Sequence, residues 1–165
     1  MKFIHPHDDV WQRVAEDDPH PQPAAHRLLS LTQWRAVRAT WPAHVPVGVE
    51  IGNDIDIETL EADLPRLGLV VLSFPKWTDG RAYSQARLLR SRYRFAGEVR
   101  AVGEVLVDML PLLDRNGVNA VQLRADQDES AARRALDYFT GYYQGDVHDN
   151  RPLFARAEAR RQAVS

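Results

Sequence analysis

An α/β fold built on a small parallel sheet of about four strand–helix units is what the sequence predicts, on three observations. Short apolar runs at 47–51, 69–74, 99–102 and 120–123 have the length and composition of buried strands. Each is followed by a stretch whose apolar residues recur three and four apart, the spacing of one helix face. The alternation repeats every ~20–30 residues, as βα units do. Half of a β/α barrel and a short open flavodoxin-like sheet both satisfy the pattern. In either, right-handed crossovers carry the strand C-termini to one rim.

Residues 1–29 are rich in Pro, His and Asp around the short apolar pairs Phe3-Ile4 and Val10-Trp11, which predicts an N-terminal arm or hairpin. Five of the six histidines precede residue 45. Their irregular spacing, the prolines and the lack of a helical face favour a solvated arm over a metal site. Ser30 with Gln33 forms a capping-box signature, and Leu31, Trp34, Val37 and Trp41 share a face until Pro42, so a helix precedes the sheet. After the first strand, Ile57, Leu60, Leu64 and Leu67 predict a helix capped by Asp56 and disturbed by Pro65. The next helix carries Ala82, Ala86, Leu89 and Tyr93. A third carries Leu106, Met109, Leu110 and Leu113, shortened by Pro111. A fourth carries Ala132, Leu136, Phe139 and Tyr143. The α/β domain thus covers 30–145. Residues 146–165 read as a polar tail in which Arg151, Arg156, Arg160 and Arg161 surround the apolar pair Leu153 and Phe154.

A chain of 165 residues with 44% hydrophobic and 27% charged residues is long enough for one real core. A formal charge of -2 and a pI near 6.3 give no general attraction to nucleic acid or to an anionic membrane. There is no cysteine, which removes disulfides, thiolate catalysis and Cys-held clusters together. No apolar run has signal-peptide or membrane-span length, so a cytoplasmic protein is expected. The sheet edges left by a half-barrel would favour a homodimer.

No GxGxxG opens a helix after a strand, and neither a P-loop nor a GxSxG elbow occurs. The chemistry therefore has to be sought at the strand exits, where α/β proteins keep their sites. The stretch after Phe74 presents Lys76, Trp77, Thr78, Asp79, Gly80 and Arg81 before helical periodicity resumes. Lys76 is one of two lysines, with Lys2, among 21 basic residues, which marks it as a candidate catalytic or binding ammonium. Lys76 and Arg81 flank Gly80 at a helix N-terminus, a setting that suits sulfite, sulfate or phosphate. The competing reading has Asp79 cap the helix and pair with Arg81 or Lys76. Tyr83, Gln85, Arg87 and Arg90 continue the segment, and Arg87, Arg90 and Arg94 would share a helix face able to engage acidic groups. Asp54, Asp79, Glu104 and Asp126, with Arg124 beside them, converge on the same rim. As carboxylates around Lys76 they also admit a stand-alone lyase, isomerase or oxidoreductase, with Mg²⁺ as an option and no cofactor named by any motif.

The segments FPKWTDGRAYSQARLLR, GEVRAVGEVLVDML and LLDRNGVNAVQLR together resemble the signature of a bacterial family catalogued as a domain of unknown function. Its members resemble one another over nearly the whole chain, are often encoded beside assimilatory sulfite reductase, and in some cases carry the label of probable oxidoreductase in sulfite reduction. Trp77 stands where the family usually has Phe, and Asn116 where members often have Cys, which removes a thiol role. The resemblance implies an accessory protein of sulfite reduction, with sulfite reductase or its electron donor as partner. Without cysteines the chain lacks the ligands for that reductase's own cluster.

Overall fold

The run 67–74, LGLVVLSF, forms the middle of the sheet, because a strand with neighbours on both sides and both faces covered demands uninterrupted apolar character. The computed structural model describes residues 1–139 and 141–156. Its seven strands are β1 (Lys2–Phe3), β2 (Gln12–Arg13), β3 (Arg27–Ser30), β4 (Val47–Ile51), β5 (Leu67–Phe74), β6 (Glu98–Gly103) and β7 (Ala120–Val121). All pair in parallel, in the order β1-β7-β6-β5-β4-β3-β2.

That order decides between the two expected architectures. From β2 to β7 every step moves to the next position in the same direction, without the reversal of a flavodoxin-like sheet, so right-handed crossovers place every helix on one face. Helices α1 (Leu31–Val37), α2 (Arg81–Ser91), α3 (Leu110–Arg115) and α4 (Glu129–Asp137) pack there. Trp34, Leu89, Leu113 and Ala132 join Val49, Leu72, Phe74 and Val99 in one continuous core. Among the described residues the opposite face carries no helix, and it is concave: the fold is a half-barrel.

The N-terminal residues close it. β1 and β2 do not pair as a hairpin; they lie at the two ends of the sheet. A flat sheet would set those ends six strand spacings, about 29 Å, apart. The link from Phe3 to Gln12 reaches about 30 Å only if fully extended. It contains a turn, with Asp8 N–H bonded to the His5 carbonyl at 3.0 Å, so the sheet must curl to bring its ends together. The expected helix before the sheet is therefore preceded by three strands.

Local predictions hold where capping chemistry is explicit. Ser30 accepts from Gln33 N–H while the Gln33 side chain accepts from Ser30 N–H. Asp56 caps its element as expected, but the chain forms two 3₁₀ turns, Ile57–Leu60 and Leu64–Arg66, rather than one helix, because Pro65 interrupts it and Leu67 already belongs to β5. Pro111 sits in the first turn of α3, where proline needs no donor, and a 3₁₀ turn, Val107–Met109, precedes it. Helix α4 ends at Asp137, which leaves Phe139 and Tyr143 outside it and exposed. Arg160 and Arg161 of the basic tail lie outside the described residues.

Candidate functional site

Parallel strands of one hand deliver Asp54, Lys76, Glu104 and Arg124 to the same rim, since each follows the C-terminal end of β4, β5, β6 or β7. The rim holds two ion-pair clusters. Around α2, Gly80 is the N-cap and supplies no side chain, so Asp79 accepts from the first free donor, the N–H of Arg81, at 3.2 Å. The Arg81 guanidinium returns two bonds, Nε to Oδ1 at 3.0 Å and Nη2 to Oδ2 at 2.7 Å. These Arg81 donors hold the Asp79 carboxyl down at about 2. Asp79 thus occupies the place that an anion would take between Arg81 and the helix start.

Lys76, Trp77 and Thr78 stand outside this arrangement. Pro75 ends the β5 ladder, and all three residues after it are exposed, Trp77 to 58%. Among the described residues no ion pair involves Lys76. Tyr83 packs edge-on against Phe74 at 5.3 Å, and burial raises its hydroxyl. Gln85 is buried and donates to the carbonyls of Gly52 and Ile55 at 2.9 and 2.8 Å, so it braces the β4 exit rather than facing a partner. Arg90 likewise ties down backbone, donating to Gly117, Phe95 and Gly97 carbonyls. Burial lowers its pKa. The expected three-arginine face does not form: Arg87 is exposed, Arg90 is committed, and Arg94 lies beyond the end of α2.

The second cluster follows β6. Gly103 takes φ +95, with the Phe74 carbonyl only 2.5 Å from where a Cβ would stand, and this tight exit presents Glu104. Arg124 bridges Glu104 Oε2 at 2.7 Å and both oxygens of Asp126 at 2.6 and 2.7 Å. Those bonds hold Asp126 at about 2. Three of the four rim carboxylates are thus turned to arginines. No group of three or more His, Cys, Asp or Glu among the described residues could hold a metal ion.

Two sets of residues escaped sequence reading. Asn53, 9% exposed, has no close hydrogen-bond partner for its Nδ2, and its side chain helps to hold the Asp79 carboxyl down. On the concave face Arg100, 3% exposed, is gripped by Asp9 and Glu98, while Glu50 meets Arg13 and accepts from Ser73 Oγ. The signal was present: a charged residue in the centre of VRAV, and Glu50 within VGVEI, each at alternating positions that face away from the helices.

No curated protein matches the chain. The family described as bacterial protein of unknown function (DUF934) matches residues 48–154, from the start of β4 past α4, which includes the whole rim. The chain belongs to this bacterial family of unknown function, DUF934.

Proposed function

We propose that the protein is a cytoplasmic accessory protein of assimilatory sulfite reduction that docks a redox partner, sulfite reductase or its electron donor, through the loop between β5 and α2. The observation that carries this reading is the exposed run Lys76-Trp77-Thr78 at the rim, inside the stretch matched by the family. An indole kept in water beside an exposed ammonium is the pairing of apolar anchor and steering charge that interfaces use. The Asp79–Arg81 pair anchors the end of that loop at the start of α2. A homodimer formed along the sheet edges belongs to the same proposal.

A second reading, binding of sulfite, sulfate or phosphate at the same loop, is favoured by Lys76 and by the buried Asn53 amide beside Asp79. It ranks lower because Asp79 already engages the Arg81 guanidinium.

Calorimetry with purified sulfite reductase and with its electron donor tests the docking directly. Binding by the wild type, weakened by about 2 kcal/mol in Trp77→Ala with unchanged melting, supports it. A deletion strain should fail to grow on sulfate and recover on sulfide or cysteine. Absence of binding to either protein together with normal growth on sulfate would refute the proposal. Binding of sulfite alone would leave the second reading.

A further inference from the structure

The concave face of the half-barrel holds a cavity of about 500 Å³ that the rim reading does not use. Trp11, Leu28, Val71 and Val102 give it apolar walls, and Asp9, Gln12, Arg13, Arg100 and Gln122 give it polar ones. Gly68 makes room for the indole: a Cβ there would lie 3.1 Å from Trp11 Cη2. Gln122 and Pro6 also line a second cavity of about 440 Å³ at the ends of β6 and β7, so the interior continues toward the rim. Such a volume, with an aromatic wall beside polar groups that can orient a ligand, is the size of small-molecule sites.

The charges around the cavity say what kind of molecule fits. Asp9, Glu50 and Glu98 face Lys2, Arg13 and Arg100, each acid paired with at least one of the three cations, so the surroundings carry no net charge to select an ionic ligand. The Gln122 side chain, by contrast, makes no hydrogen bond among the described residues and offers two donors and an acceptor. We propose that the concave face is a binding site for an uncharged heteroaromatic compound, its ring against Trp11 and its polar edge on Gln122. The inference goes beyond the docking loop and does not depend on it.

Indole N–H resonances read this site separately. Trp34 and Trp41 are buried in the outer core and Trp77 is on the rim, so Trp11 alone reports the cavity, and Trp11→Phe identifies its signal. Titration of the intact protein with adenosine and with nicotinamide should move the Trp11 signal saturably for at least one of them, with the other three indoles unmoved. Gln122→Ala should weaken that response at least fivefold. Val102→Phe should abolish it by filling the cavity, its Trp34 and Trp41 signals certifying the fold. The inference is overturned if neither compound moves the Trp11 signal at millimolar concentration, or if the Trp77 signal moves instead. It is equally overturned if Gln122→Ala leaves the response intact, or if inorganic sulfate reproduces it.

Discussion

Asp79 shows how a single side chain can close a site that its neighbours open. Lys76, Gly80 and Arg81 form an anion-receptive set, yet the carboxylate one position before the N-cap reaches the guanidinium and the Arg81 N–H before any solute does. The pairing has a pH signature. The folded carboxyl titrates at about 2, below the ordinary 3.8, so the stability it contributes is fully present above 3.8 and is lost as pH falls through 2. Carboxyl ¹³C titration should place the Asp79 midpoint near 2, and Arg81→Gln should return it toward 3.8, since the Arg81 side-chain bonds are the largest cause. An unchanged midpoint in that variant would show that the backbone N–H alone sets it. Chemistry of this kind is legible only in part from sequence: Asp79 before Gly80 announces a cap or a pair, and only geometry shows that Gly80 takes the N-cap while Asp79 holds both the N–H and the guanidinium of Arg81.

At the scale of elements, what was legible was what is local. Ser30 with Gln33, Asp56 and Pro111 each act within a few residues, and each does what its chemistry dictates; Asp128, which caps α4, was not read from the sequence. The strands β1 and β2 escaped because two-residue strands leave no periodicity; they exist only through their partners across the sheet. The end of α2 was misplaced for a related reason. Tyr93 continues the apolar spacing, but the helix stops at Ser91 and the chain reverses through Arg94 at φ 54, with Phe95 N–H bonded back to the Leu89 carbonyl. That left-handed position is where glycine ordinarily ends a helix, and an arginine there is strained. Arg94→Gly should therefore raise stability by about 1 kcal/mol, read as a higher denaturant midpoint with an unchanged slope. A loss of stability would mean that the Arg94 side chain contributes more than its backbone costs.

The whole molecule depends on bringing two ends of a sheet together, and the chain does so with buried charge. The link between β1 and β2 crosses the open side, and Asp9 from that link meets Arg100 Nη1 at 2.5 Å and Nη2 at 3.1 Å. Glu98 holds the same guanidinium from its own strand at 2.7 Å, and Lys2 of β1 reaches Glu98 at 3.3 Å. The cluster thereby ties the first strand, the crossing link and the central strand β6 into one unit. Burying an ion pair yields little net stability compared with apolar packing, but removing one member leaves its partners uncompensated. Arg100→Ala should therefore cost about 3–5 kcal/mol, since it leaves Asp9 uncompensated and Glu98 with only the exposed Lys2. Asp9→Asn should cost less, because Glu98 remains on the guanidinium. Hydrogen exchange separates closure from general weakening: in Asp9→Asn the amides of Lys2, Ile4 and Gln12, which bond to Asn119, Val121 and His26, should exchange faster while those of β5 keep their protection. Uniform acceleration across β5 and the link alike would show that the cluster supports the core as a whole and is not a clasp on its open side.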